Sequence, residues 1–190
     1  MSATTLPPVR RIVTGINGAG RSCIIEDGVS PAMLLMPGRE GYRNNNIWRT
    51  TQSPAPVAAA DGVLEHHGVL PPPRGSVFRV IDIPPEHPDP AEARRQTAAV
   101  FAAMFPDAQH DASDARHPGM HTTNTVDYAI VLQGELVAIL EEGETVMRAG
   151  DILIQRGTHH AWANRSQSIA RIAFILIDGV RAAQDLQPPL

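Results

Sequence analysis

The sequence has one cysteine, no lysine and no long apolar stretch. Because Cys23 is alone in a chain of 190 residues, no internal disulfide can form, and this composition predicts a cytoplasmic protein. The positive charge is all arginine, scattered singly or in pairs, and the formal net charge is -4, so nothing favours binding to nucleic acid. No run approaches the roughly 20 apolar residues that span a bilayer, so we expect no membrane association.

The N-terminal residues 1–88 are rich in proline, which divides them into short apolar runs. Proline fixes φ and removes a backbone donor, so these runs are predicted to be short, edge-like strands joined by extended connections. The pattern favours an N-terminal arm that wraps a core rather than forming one. The apolar runs are Arg11–Thr14, Ser22–Ile25, Ile47–Thr50 and Ser76–Asp82.

One helix is predicted over residues 89–105. Asp89 is suited to the N-cap and Pro90 to the first helical position, and Pro106 stops the run of helix formers. Four apolar residues in the C-terminal half gather on one side, so this side is expected to pack on the core. They are Val100, Phe101, Met104 and Phe105.

Residues 106–180 differ in composition from the N-terminal part and contain several apolar runs of strand length. These runs follow one another closely, and Gly134 and Gly143 stand where tight hairpins need glycine. The pattern predicts an antiparallel sandwich or barrel, with residues 181–190 as a C-terminal tail. The runs are Val126–Gln133, Leu136–Leu140, Thr145–Met147, Asp151–Gln155 and Ala170–Ile177.

Two motifs in this region resemble the conserved motifs of the cupin superfamily. The first runs from His121 through Asp127 to Gly134, and the second runs from Gly150 through His160 to Asn164. The resemblance implies an all-β double-stranded β-helix, or jelly-roll barrel, which commonly holds one metal ion in its mouth.

The resemblance also implies a set of metal ligands. His121 matches the first histidine of the family's first motif, Asp127 takes the place of the usual glutamate, and His160 matches the histidine of the second motif. Thr123 stands where the family has another histidine, and a neutral hydroxyl is a poor ligand for most divalent metals. Two histidines and one carboxylate suit Fe²⁺, and they also accept Zn²⁺ or Mn²⁺.

Two further residues are candidates for catalysis. Thr123 lies two residues from His121, so on a strand its side chain points into the same pocket. His117 precedes His121 by four residues and can fold over the mouth of the barrel. We expect these two side chains to assist proton movement.

Four other polar residues are expected to lie outside the chemistry. Asn164 should close a strand end by hydrogen bonding, and His159 should face away from its neighbour His160. Arg156 is expected at the surface, although an inward orientation would let it pair with a substrate carboxylate. His66 belongs to a loop pair of histidines that is expected to be exposed.

Two functions remain open at this point. The first is a metal-dependent enzyme that acts on a small carbonyl- or carboxylate-bearing molecule, either as a dioxygenase or as a Lewis-acid lyase, isomerase or decarboxylase. The second is a non-catalytic cupin that binds a small ligand and has a degenerate metal site. Unpaired strand edges in the N-terminal arm also predict a homodimer.

Overall fold

The computed structural model describes residues 5–182, so most of the predicted tail at 181–190 lies outside the described residues. Within that range the chain forms thirteen strands, one α-helix and a 3-10 turn at Val63–Glu65. The first elements are β1 (Arg10–Ile16), β2 (Ser22–Val29), β3 (Ala32–Leu35), β4 (Arg43–Thr50), β5 (Ser76–Ile83) and α1 (Pro90–Met104). The remaining elements are β6 (Gln109–His110), β7 (His121–Thr122), β8 (Thr125–Gln133), β9 (Glu135–Leu140), β10 (Glu144–Arg148), β11 (Ile152–Arg156), β12 (His160–Ala163) and β13 (Ala170–Asp178).

Two antiparallel sheets enclose the core. One has the strand order β11-β8-β13-β5-β4-β3, the other has the order β10-β9-β12-β7-β6, and β1 pairs only with β2. Apolar side chains from both sheets and from α1 form one buried cluster, for example Leu136, Ile172 and Val100. The predicted all-β fold with a single helix is therefore confirmed.

Strand alternation decides which side chains face the core. In β8 the buried residues are Thr125, Asp127, Ala129 and Val131, and the residues between them are exposed or only half buried. Because side chains of a strand alternate between its two faces, the same register that buries Ala129 and Val131 also turns Asp127 inward.

The N-terminal strands differ from the prediction in one respect. β4 and β5 each have eight residues, and both lie in the interior of the six-stranded sheet, with β5 between β13 and β4. The prediction of short edge strands was wrong for these two, because the prolines lie in the connections and leave every backbone donor of both strands in place.

A buried ionic cluster joins the interior strands. Asp82 on β5 is fully buried and accepts hydrogen bonds from Arg43 Nε at 2.8 Å and from Arg171 Nε at 2.6 Å. The same two guanidinium groups donate to the carbonyls of Leu6 and Pro7. One carboxylate thus connects β4, β5 and β13 with the N-terminal segment.

Asn164 also has a structural role, as the sequence predicted. Its side chain is fully buried, and its Nδ2 donates to the carbonyls of Ile83 at 2.7 Å and Ser168 at 2.8 Å. Its Oδ1 accepts from the backbone N–H of Ser166 at 3.0 Å. This asparagine therefore ties the connection between β12 and β13 to the end of β5.

The helix begins and ends as predicted. Asp89 is the N-cap and its Oδ1 accepts from the backbone N–H of Ala91 at 3.0 Å, Pro90 is the first helical residue, and Phe105 is the C-cap. Val100 and Met104 are buried in the core. Across residues 5–182 no helix has the length and apolar character that crossing a membrane requires.

Removing the N-cap acceptor will destabilise the protein slightly. We expect Asp89→Ala to lower the free energy of unfolding by about 1 kcal/mol, because a helical N–H loses its partner. Urea unfolding followed by circular dichroism measures the change. Asp89→Asn keeps an acceptor oxygen and should behave like the wild type, and an equal loss in both variants would contradict the capping role.

Candidate functional site

A cavity of about 100 Å³ lies in the barrel, and we call it the barrel cavity. Its apolar wall includes Tyr42, Val100, Phe101, Phe105, Trp162 and Phe174. Its polar wall consists of Arg39, Arg79, Glu86, Thr97, His117, His121, Thr123, Asp127 and His160. All five side chains that the sequence proposed for catalysis or metal binding therefore line one cavity, and they come from β7, β8, β12 and the loops beside β7.

His121 and His160 lie side by side on neighbouring strands. They are register partners of β7 and β12, and their ring centroids are 4.3 Å apart. The Nδ1 of His121 is 2.9 Å from the carbonyl oxygen of Gly119, and the Nδ1 of His160 is 3.0 Å from that of Thr158. Because a carbonyl only accepts, each Nδ1 carries the proton, which leaves Nε2 as the nitrogen with a lone pair.

Burial keeps both imidazoles neutral. It lowers the pKa of His121 to about 4, and together with the neighbouring His121 ring it lowers the pKa of His160 to about 3. A neutral ring with its proton on Nδ1 has the form in which histidine binds a metal through Nε2.

Asp127 lines the same cavity from the other sheet. Its side chain is 4% exposed, and within the described part of the chain its Oδ1 has no hydrogen-bond partner. Burial raises the pKa of this carboxyl to about 6, although the Thr125 hydroxyl and the charge of Arg79 act in the opposite direction. Asp127 is therefore a buried oxygen donor with an unused lone pair.

The two imidazoles and Asp127 supply the donor types that a divalent metal takes, but they do not stand as a preformed cage. Among residues 5–182 no three His, Cys, Asp or Glu side chains are grouped so as to hold a metal ion. Thr123 is buried, and its Oγ1 is 2.7 Å from the Oγ1 of Thr125, so this hydroxyl already has a partner.

His117 forms a hydrogen-bonded pair with a glutamate that sequence reasoning missed. The backbone N–H of Gly119 donates to His117 Nδ1 at 3.0 Å, so the ring proton is on Nε2, which lies 2.5 Å from Glu86 Oε1. Both nitrogens of the ring are thereby occupied. Glu86 follows two prolines after β5, and no pattern in the sequence connects it to position 117.

Sequence reasoning also missed the two arginines of the cavity, Arg39 and Arg79. Arg79 on β5 is almost fully buried and donates to the carbonyl of Val69 at 2.9 Å, and its Nη2 is 3.0 Å from His66 Nε2. His66 is 5% exposed, so the prediction of an exposed histidine was wrong: the ring is covered because it lies against Arg79. Burial is the main cause that lowers the pKa of His66 to about 4, and the positive charge of Arg79 is the second.

Two side chains within the second motif lie outside the barrel cavity, as expected. His159 is 3.7 Å from Glu141 and 4.0 Å from Asp114, and Arg156 is exposed. Both line a separate surface depression. They therefore serve as controls for the side chains within the cavity.

Comparison with known proteins identifies the class. Residues 108–177 match the family described as Cupin domain. This part of the chain is a cupin domain, so the resemblance seen in the two motifs is confirmed.

Relatives of similar length come from fungi. The chain is 28% identical over 179 residues to a phomopsin biosynthesis cluster protein of Diaporthe leptostromiformis, with 88% of this chain and 77% of that protein covered. It is 28% identical over 189 residues to a cupin-domain-containing oxidoreductase of Hypocrea virens, with 94% and 81% covered. Among solved structures, a Cupin 2 conserved barrel domain protein of Salinispora arenicola has a TM-score of 0.40 and 9% identity, with 76% of this chain and 82% of that chain covered.

Proposed function

We propose that this protein is a metal-dependent enzyme that acts on a small organic molecule bearing a carbonyl or carboxylate group, bound in the barrel cavity. The main support is the pair of neutral imidazoles of His121 and His160, because each has its Nδ1 fixed by a carbonyl and its Nε2 left to bind. The Hypocrea virens relative is named an oxidoreductase, which favours an oxidation over a non-redox reaction.

His121, His160 and Asp127 would hold the metal once these three side chains move closer together, because they are not grouped as a ligand cage in this structure. Two imidazoles and one carboxylate are the ligand set typical of non-haem Fe²⁺, and Zn²⁺ or Mn²⁺ also fit it. Asp127 has an unpartnered Oδ1 in a buried position, and a cation beside it would remove the penalty of that burial. When bound, such a metal supplies a Lewis acid for a substrate oxygen and, in the case of iron, a site for dioxygen.

Glu86 and His117 would move the proton. Because both ring nitrogens of His117 already have partners, the group of this pair that can take a proton from a substrate is the Glu86 carboxylate, which also lines the cavity. The His117 Nε2–H then orients that carboxylate and stabilises its charge. The aromatic side chains of the wall lower the local polarity and so strengthen these interactions.

A non-catalytic ligand-binding cupin is the second candidate. The side chain of Thr123 favours this second candidate, because its hydroxyl occupies the position of a histidine ligand in the family and is hydrogen-bonded to Thr125. The two candidates differ in whether the purified protein holds a stoichiometric metal.

The metal content of the purified protein distinguishes the enzyme from the ligand-binding protein. We expect the wild type, after reconstitution with Fe²⁺, Zn²⁺ or Mn²⁺ and removal of excess metal, to hold about one ion per chain, and His160→Ala to lose at least about tenfold in metal affinity. Mass spectrometry of the elements gives the metal content, and titration with a competing chelator gives the affinity. His159→Ala is the matched control, since the neighbouring histidine lies outside the cavity and its loss should leave the metal bound. A wild type that stays free of metal under all three conditions would favour the ligand-binding role.

A further inference from the structure

Arg39 is held over the barrel cavity by its own turn. It lies between β3 and β4, where its backbone N–H donates to the Met36 carbonyl at 3.2 Å and its carbonyl accepts from the Tyr42 N–H at 3.1 Å. Its guanidinium carbon lies 5.0 Å from the centre of the Tyr42 ring, a cation–π contact. The main chain and the aromatic ring together fix where this positive charge stands.

The guanidinium of Arg39 forms no ion pair within residues 5–182, and its buried Nε has no hydrogen-bond partner there. The Arg39 side chain is half buried, and burial lowers the pKa of its guanidinium, against the opposing effects of Tyr42 and of the Glu86 charge. By contrast, the buried Arg11 is neutralised by carboxylates, since it pairs with Glu26 and Asp61. An arginine that lines a cavity, is partly desolvated and lacks an anion has room for an anion from outside.

The charges around the cavity support the same conclusion. Arg79 adds a second guanidinium, which is bonded to carbonyls and to His66 rather than to a carboxylate. Of the acidic groups in the wall, Glu86 is hydrogen-bonded to His117, and Asp127 lies on β8 of the same six-stranded sheet, where the charge of Arg79 acts on it. The wall thus holds two guanidinium groups and two carboxylates, and within residues 5–182 neither carboxylate forms an ion pair with Arg39.

We propose that Arg39 binds a carboxylate of the substrate, so that the substrate class is a small organic acid with an apolar body; this rests on the proposed function, in which the barrel cavity is the substrate site. The planar guanidinium can form two parallel hydrogen bonds to a carboxylate. Phe101, Phe105 and Phe174 offer apolar surface to the remainder of the molecule. The cavity of about 100 Å³ is smaller than the cavities of about 150 Å³ that accept benzene, so the part of the molecule that it encloses is at most about one ring.

A pair of probes that differ only in charge tests this assignment. Benzoate and benzamide have nearly the same shape, and near neutral pH only benzoate is an anion. We expect the wild type to bind benzoate at least about tenfold more tightly than benzamide, as a charge-assisted contact predicts. Dissociation constants come from NMR titration of the protein in a buffer free of carboxylates, with resonances of the barrel cavity as the reporters.

Variants then assign the preference to one side chain. Arg39→Gln should weaken benzoate binding about tenfold and leave benzamide binding unchanged, and Arg39→Lys should retain part of the preference because it keeps the charge but not the planar fork. Arg156→Gln is the matched control, since this exposed arginine lies outside the barrel cavity and should change neither affinity.

The outcomes separate this inference from the proposed function. Equal affinity for both probes in the wild type, or a preference that survives Arg39→Gln, would overturn the role of Arg39 while leaving the barrel cavity as a binding site. Failure of both probes to shift any resonance of the cavity would likewise overturn the carboxylate site, whereas the metal content of the protein tests the proposed function separately. Loss of the preference in Arg39→Gln together with an unchanged Arg156→Gln supports the carboxylate site.

Discussion

Replacing Asp82 with asparagine will lower the free energy of unfolding by about 3 to 5 kcal/mol, the usual effect of breaking a buried ion pair from one side. The substitution keeps the shape of the side chain and removes only its charge. It leaves Arg43 and Arg171 charged and largely buried, with 12% and 14% of their side chains exposed. Equilibrium unfolding in urea, followed by tryptophan fluorescence, measures the loss.

An exposed pair of similar geometry provides the control for Asp82. Asp27 accepts two hydrogen bonds from Arg10, both at 2.7 Å, on the β1–β2 hairpin, but the pair is open to solvent. Asp27→Asn should leave the midpoint of unfolding nearly unchanged, because water replaces the lost contact. Similar losses in Asp27→Asn and Asp82→Asn would show that burial of the Asp82 cluster does not determine its contribution.

Acidification from about pH 7 to about pH 4.5 will destabilise the metal-free protein by about 3 to 5 kcal/mol through His121 and His160 alone, at about 1.4 kcal/mol for each pKa unit. In the folded state their pKa values are about 4 and about 3, whereas an unfolded histidine titrates near 6.5. In this window the unfolded chain binds protons that the folded chain does not, so stability falls as the pH falls. Above about pH 7.5 both states are neutral, and this contribution no longer changes.

Substitution of both histidines isolates their part of the acid response. The double variant His121→Gln, His160→Gln should lose about 3 to 5 kcal/mol less than the wild type over the same range, as measured by urea unfolding at each pH. His67→Gln removes an exposed histidine and should follow the wild-type curve. Parallel curves for the double variant and the wild type would mean that burial does not hold the two rings neutral.

Local chemistry explains what could be predicted from the sequence. The cap at Asp89, the proline at position 90 and the glycine at position 134 act within a few residues, and the alternation of β8 is a property of one strand. The cupin motifs add the spacing of His121 and His160. From these patterns the fold class, the helix and the candidate ligands could all be predicted.

Long-range pairing explains what could not be predicted. Glu86 meets His117 across 31 positions, and Arg79 meets His66 only after a turn returns the chain to β5. Arg39 reaches the cavity because β3 and β4 extend the sheet beyond β5. Proline content indicated an arm in this region, and composition alone does not reveal that its strands would occupy the middle of a sheet.

Two parts of the chain line the barrel cavity, because β5, from the chain before the cupin domain, lies between β13 and β4 in the sheet. The candidate metal ligands come from the cupin domain at residues 108–177, whereas Arg39, Arg79 and Glu86 come from the chain before it. A fragment limited to the cupin domain would keep the candidate metal ligands, expose the edge of β13 to self-association, and lack Arg39, Arg79 and Glu86.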